Sequence, residues 1–392
     1  MTDAPRLADL SGSTPGVLPN QLLVEAVGAG WIEAGDYRVP EEHVQPASLD
    51  LRLGETAYRM RCSFLPHDGS VEEKLKDLVV DELDLRRDGA VLETNRPYLI
   101  PLLERLHLPP FVSARANPKS STGRADVFTR VITDGSYRFD DVQPGYDGPL
   151  YLEVVPLSFA VRVRQNLSLN QLRLSIGESR LSDDELWALH QHDPLLFTDG
   201  RPADRAGFAT DDGLFLSLDL RGDAGRNVGW RARGNATLLD LSGIGAHRVS
   251  DYWEAVVSED GDRVVLDPER FYLLLSNEAV RVPPHLASEM TAYDPTSGEL
   301  RTHYAGFFDP GFGHSGTGEL AGSRAALEVR AHDVPFMIEH GQRVCRLTFE
   351  RMVCEPTKLY GQGIGSNYQG QLETLGKHFA RPEGPTRAAA PG

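Results

Sequence analysis

The sequence predicts a mainly β chain built as two tandem copies of one β-rich unit, and three observations predict it. Glycine and proline are frequent, 38 and 26 of 392 residues, and they punctuate many short apolar runs. That is the pattern of strands joined by tight turns. Helical signals are few. Three separated blocks recur in the same order at nearly constant spacing, which marks an internal duplication.

The first block is Ser-Leu-Asp-Leu-Arg, at Ser48 to Arg52 and again at Ser217 to Arg221, an offset of 169. The second runs from Tyr98 to Ala114 and aligns without gaps with Tyr272 to Ser288, an offset of 174. The third runs from Leu152 to Leu174 and aligns without gaps with Leu327 to Phe349, an offset of 175. Strand patterns in general resemble one another. The shared Pro-Pro pair and Leu-Glu-Val triplet do not belong to that generic likeness. The units then occupy 1–175 and 213–375. A polar connection over 176–212 joins them. A tail over 376–392, rich in Pro, Ala, Arg and Gly, reads as disordered.

Two helices are expected. One runs from about Gln21 to Val27, before the break at Gly28 and Gly30. The other starts in the connection at Ser182, which stands with Glu185 at the spacing of a capping box. The stretch from Arg226 to Glu259 is a Gly- and Trp-containing insertion in the second unit, with no motif that gives it a role.

Hydrophobic residues make up 40% and charged residues 25%, enough for ordinary globular cores. The net charge of −17 argues against a general nucleic-acid binder, because a phosphate backbone demands a basic surface. A small polyanion needs only a local concentration of cations. No run of eighteen apolar residues predicts a membrane span, and Met1 to Pro19 lacks the pattern of a secretory leader. Cys62, Cys345 and Cys354, an odd and sparse set, fit a reducing cytoplasm.

Five segments stand out as landmarks: VQPASLDLRLG (Val44 to Gly54), PKSSTGR (Pro118 to Arg124), VQPGYDGPLYLEV (Val142 to Val154), AGFFDPGFG (Ala305 to Gly313) and YGQGIGSNYQGQ (Tyr360 to Gln371). In this order they resemble the dCTP deaminase family, which shares a distorted β-barrel, the β-clip, with the trimeric dUTPases. The likeness covers most of 18–175 and 213–375, in a long, tandem form. It implies two dUTPase-like barrels. PKSSTGR resembles the family's phosphate-binding motif, with Lys119 at its first Arg. VQPGYDGPLYLEV resembles the segment that ends in the catalytic Glu. AGFFDPGFG resembles the base-recognition hairpin, and the last segment resembles the lid that closes over nucleotide.

The residues suit that chemistry. Ser120, Ser121 and backbone N–H groups in a turn can wrap phosphate oxygens, while Lys119, Arg124 and the upstream Arg115 neutralise them. By itself such a sequence is most often a solvated turn. By family analogy Ser120 and Arg124 also hold the attacking water and the catalytic Glu. Deaminating cytosine adds water at C4 and moves protons to N3 and to the leaving amine. A buried carboxylate with a raised pKa can shuttle them. Glu153 and Glu328 are the two candidates. Strand alternation turns each away from its apolar neighbours, towards solvent or an interface. The turn at Ala305 and Asp309 suits close backbone approach to a base, and equally suits a plain hairpin.

The zinc deaminases use an H-x-E…P-C-x-x-C pattern. Here Cys345 and Cys354 are nine apart, and His303, His314, His332 and His340 have no ligand spacing. No catalytic metal is expected. Magnesium is expected only as the companion of the triphosphate.

The two copies have diverged. The 174 offset puts Tyr293, Asp294, Pro295 and Gly298 where Lys119, Ser120, Ser121 and Arg124 stand, so the second unit has lost the phosphate cradle. The second unit keeps the short hairpin and is followed by the lid residues Tyr360 and Gln371, though Asn367 replaces the family's Lys. The first unit carries an insertion between Thr133 and Val142, and the second has extra residues between Gly313 and Glu328. In the superfamily the site lies between neighbouring barrels. Complementary halves are therefore expected. The first brings Ser120, Ser121 and Arg124, and the second brings Ala305, Glu328, Tyr360 and Gln371. The rival arrangement uses first halves only, with Glu153. The resemblance implies deamination of dCTP to dUTP and ammonia by a cytoplasmic homo-oligomer with no nucleic-acid or membrane partner. The alternatives are a dUTP diphosphatase, a bifunctional enzyme, or a non-catalytic nucleotide-binding regulator. A dUTPase would carry a catalytic Asp in the hairpin and a Gly-rich C-terminal arm with a Phe; Asp309 stands near the first place, but Tyr360 to Gln371 resembles the deaminase tail instead.

Overall fold

The computed structural model describes residues 5–10, 12, 15–221, 227–292, 300–302, 306–314, 322–331, 333–361 and 374–380. Ala305, Gln371, Asn367, His303, His332 and the 293–299 stretch lie outside the described residues. The chain is mainly β, and its units lay down their strands in one order.

In the first unit, strand Tyr98–His107 pairs antiparallel with Asp147–Pro156, which pairs in turn with Val127–Thr133. In the second, Phe271–Val280 pairs in the same way with Ser323–Ala331. Leu152 faces Ile100 in one unit, and Leu327 faces Leu274 in the other. In the companion sheets, Leu172 faces Ala116 and Leu347 faces Met290. In both cases the partners differ by the 174 and 175 offsets of the sequence blocks. The duplication is therefore a duplication of hydrogen-bond register. Because side chains alternate with period two, one conserved register puts corresponding residues on corresponding faces.

Helix Asn20–Gly28 packs Leu22, Leu23 and Ala26 inward, at the spacing of one helical face. Helix Asp183–His192 starts at the expected capping box: Ser182 accepts from the Glu185 amide, and Glu185 accepts from the Ser182 amide. A third helix, Val71–Leu78, went unread in the sequence, although Ser70 and Glu73 form the same box.

There are two large cores. One belongs to the second unit and takes in Leu186, Leu196 and Phe208 from the connection, where strand Leu196–Thr198 adds to Phe271–Val280. The other fills the first unit and crosses the seam to take in Trp253, Phe271, Leu273, Leu375 and Phe379. The insertion that carried no motif is what builds this seam. Strand Leu239–Asp240 pairs parallel with Val161–Val163 of the first unit. Asp240 receives both arms of Arg164, at 2.7 and 2.9 Å, and that guanidinium holds its carboxyl down to about 2. Trp253 lies edge-on to Phe159 at 5.4 Å and to Phe379 at 5.6 Å.

The packed chain continues beyond 375, where a disordered tail was expected. His378 and Phe379 are buried, and Ala380 N donates to His247 O at 2.7 Å. The apolar surface of Phe379 and these backbone bonds hold the segment against the insertion. Among the described residues no helix is long and apolar enough to cross a membrane.

Candidate active site

Strand Val112–Pro118 delivers the chain to Lys119, where it leaves the sheet and makes one helical turn, Ser120–Gly123. The turn is pinned from below. Lys119 N and Thr122 Oγ1 both donate to Leu169 O, at 3.0 and 2.8 Å. Asp126 closes it in the left-handed region, φ 55°, with its amide donating to Gly123 O. Ser120 is exposed, whereas Ser121 and Arg124 are buried. Two of the expected phosphate cations already hold carboxylates. Lys119 pairs with Asp50. Arg115 reaches across the seam to Glu289 at 2.6 Å, and Asn117 donates to the same carboxylate at 2.7 Å. Arg115 is thus placed at the joint between units, and Lys119 and Arg124 are the cations that flank the turn.

The two candidate glutamates occupy the same register position, Glu153 opposite Leu99 and Glu328 opposite Leu273. Their surroundings differ. Glu153 is buried and paired with Arg130, which also donates to Ser63 and lies 3.6 Å over the Phe139 ring. Its charge is matched, and its Oε1 accepts two bonds from the Arg130 guanidinium. Glu328 points instead at the first unit's turn: a Cβ built on Gly123 would lie 2.5 Å from Oε2 and 2.6 Å from Oε1. Among the described residues no ion pair engages Glu328. Burial pushes its carboxyl up to about 8, with the Arg124 cation opposing and the Asp126 anion adding to the rise. Gly123 is the residue that lets the carboxylate approach, and sequence reading had assigned it nothing.

The hairpin of the second unit completes the same corner. Asp309 follows strand Gly306–Phe308 and is buried. Burial raises its carboxyl to about 6, opposed by Arg173 of the first unit at 3.4 Å and affected by Asp50 and Lys119. These charges therefore share one neighbourhood. Arg173 also donates to Ser288 O at 3.2 Å and lies 3.9 Å over the Phe307 ring, so the first unit carries the second unit's hairpin. Tyr360 N donates to Pro310 O at 2.9 Å, and its ring packs 5.7 Å from Phe312. This approach needs glycine at 311 (φ 97°), where a Cβ would lie 2.8 Å from Tyr360 N.

The segment 374–380 runs over the turn. Arg124 Nη1 donates to Thr374 O at 3.3 Å, and Gly376 faces the Arg124 Cβ. The structure thus brings Glu328 to the turn of Lys119, Ser120, Ser121 and Arg124, and sets Asp309 on Arg173 within electrostatic reach of Lys119, with Tyr360 bonded to the Asp309 hairpin. It places Glu153 in a separate, self-paired pocket. Among the described residues no three His, Cys, Asp or Glu side chains group to hold a metal ion. This junction offers hydroxyls, two cations and a proton-holding carboxyl, a set suited to an anionic substrate that must exchange protons.

Comparison with known proteins identifies the family. Residues 14–178 match the family model of the 2'-deoxycytidine 5'-triphosphate deaminase N-terminal domain, and 182–379 match that of its C-terminal domain. The crystal structure of 2'-deoxycytidine 5'-triphosphate deaminase from Agrobacterium tumefaciens is similar at 45% identity and a TM-score of 0.80, over 88% of this chain and 99% of that one. A dCTP deaminase of Haloarcula marismortui is 33% identical over 126 residues, 31% of this chain and 60% of that protein. A dCTP deaminase, dUMP-forming, of Corynebacterium glutamicum strain R is 34% identical over 116 residues, 29% of this chain and 57% of that protein. The chain thus spans less than two thirds of these two relatives. With both domain models matched in order across most of its length, the chain belongs to the dCTP deaminase family of enzymes.

Proposed function

We propose that the protein hydrolyses dCTP to dUTP and ammonia in the cleft between its units, with Glu328 as the acid and base. The observation that carries this is the Glu328 carboxylate lying against Gly123, inside the turn that holds Ser120 and Arg124. A carboxyl raised to about 8 is largely protonated at neutral pH, so it can give a proton to N3 of the cytosine ring. As carboxylate it then takes a proton from the water that adds to C4. It returns that proton to the C4 amine and the C–N bond breaks to release ammonia, while the C4 hydroxyl gives its remaining proton to the Glu328 carboxylate as the carbonyl forms, which restores the acid. Ser120 and Arg124 hold the water and the carboxylate. Lys119 and Ser121 face the triphosphate, which arrives as its magnesium complex, and no metal takes part in the proton transfers.

A second product pattern, dUMP with pyrophosphate, has one observation in its favour. Asp309 is a buried carboxylate at the hairpin turn, near Lys119. Some relatives are named dUMP-forming. One experiment separates the readings: purified protein with magnesium and, in parallel, dCTP or dUTP, after transition metals are stripped, with ammonia and nucleotide products measured. Ammonia with dUTP supports the proposal. Ammonia with dUMP and pyrophosphate makes the enzyme bifunctional. Turnover of dUTP alone moves it to the diphosphatases, and turnover of neither leaves a nucleotide-binding regulator.

A further inference from the structure

We infer that the buried ion pair between Arg330 and Asp126 is a positioning device that sets Glu328 against the first unit's turn, an inference that rests on Glu328 being the working carboxylate. Arg330 Nη2 lies 2.5 Å from Asp126 Oδ2, with the two side chains 8% and 0% exposed. Each partner is held from behind. Arg330 also donates to the Glu269 carbonyl, and Asp126 accepts from the Ser158 hydroxyl.

The placement follows from spacing. Glu328 and Arg330 stand two apart on strand Ser323–Ala331 and so leave it on one face. Arg124 and Asp126 stand two apart where the turn closes. The strand therefore meets the turn at two points, Glu328 beside Gly123 and Arg330 on Asp126. The second point is directional and buried. A slip of the strand would break it and leave an uncompensated charge buried in the seam, which the fold strongly resists. The device also belongs to one copy alone. By the 175 offset the first unit has Val155 in place of Arg330, and by the 174 offset the second has Leu300 in place of Asp126.

The charges that act on Glu328 are Arg124 and Asp126 from the turn, while Arg330, two residues along its own strand, pairs with Asp126 and has Glu269 4.0 Å away. Removing the Asp126 anion makes Glu328 easier to ionise, and removing the Arg330 cation makes it harder. A purely structural contact predicts no such opposition. The test is kcat, KM and the pH–kcat profile of full-length Asp126→Asn and Arg330→Met, beside wild type and Glu328→Gln. Both single variants are expected to lose about tenfold to a hundredfold in kcat, with KM within about threefold, as for a misplaced catalytic group. The limb governed by Glu328 is expected to move to lower pH in Asp126→Asn and to higher pH in Arg330→Met. If wild type does not deaminate dCTP, or Glu328→Gln keeps wild-type kcat, the reading beneath the inference falls. If Glu328→Gln is inactive while both single variants keep kcat and limb, or the limbs move the same way, the inference itself is overturned. Should a single variant fail to fold, the neutral pair Asp126→Asn with Arg330→Gln serves. Lowered kcat with recovery of most activity in Arg330→Lys supports positioning, and wild-type kcat in the neutral pair overturns it.

Discussion

The carboxylate of Glu328, from the second unit, rests against the α-carbon of Gly123, from the first, so closely that a methyl group there would lie 2.5 Å from Oε2. Gly123→Ala adds that methyl. The side chain that has to yield is the proposed proton shuttle, so kcat for dCTP is expected to fall about a hundredfold or more. Stability should also fall, by about 1–3 kcal/mol, the cost of overpacking, since the added methyl enters a buried turn. Steady-state kinetics with a thermal melt checks this, and near-wild-type kcat would mean the carboxylate works elsewhere.

Glu153 and Glu328 share one register position and should respond oppositely to the same substitution. Glu328→Gln is expected to lower kcat by about 100- to 10,000-fold, the range for loss of a general acid–base. Glu153→Gln should keep kcat within a few-fold. It should still cost about 2 kcal/mol of stability, because Arg130 loses its counter-charge under the Phe139 ring. A dead Glu153→Gln enzyme beside an active Glu328→Gln one would assign catalysis to first units.

The raised Glu328 carboxyl also links stability to pH. Its folded pKa, about 8, lies above the 4.5 of the free side chain. The folded state therefore holds its proton where the unfolded state has released it. The protonated carboxyl favours the fold fully below 4.5, and this advantage is lost as pH rises from there through about 8. Glu328→Gln cannot titrate. Its Tm relative to wild type should therefore rise between pH 5 and pH 9, and the difference cancels other titrating groups such as Asp140 and Asp309. A flat difference would show that the carboxyl is not held protonated.

Phe379 ties the end of the described chain to the seam, edge-on to Tyr252 at 5.4 Å and to Trp253 at 5.6 Å. Phe379→Ala should cost about 3 kcal/mol by the large-to-small rule. It should also raise KM for dCTP, because the segment it anchors carries the Thr374 carbonyl that receives Arg124. Loss of stability with unchanged KM would separate the clasp from the cleft.

Much of the site was legible before any coordinates. Lys119 to Arg124, the Leu-Glu-Val glutamates and the Asp309 turn all stand in motifs whose residue types suit their chemistry. Other parts were silent. Gly123 is a glycine in a turn until Glu328 arrives beside it. Arg330 and Asp126 lie 204 apart and look like ordinary surface charges. The insertion around Trp253 has no motif because its role is to cover another unit's edge.

The sequence by itself determined the mainly β class, the duplication and the capping box at Ser182, since these follow from turn residues, repeated blocks and residue spacing, which are local. Only the tertiary structure decided which glutamate faces the Ser120–Gly123 turn and which is matched by Arg130. Both copies carry the same Leu-Glu-Val triplet. The difference lies in what burial brings beside each carboxylate, a cation 23 residues away in one case and a glycine of the other unit in the other. The free energy of a buried charge is set by those neighbours and not by the triplet around it.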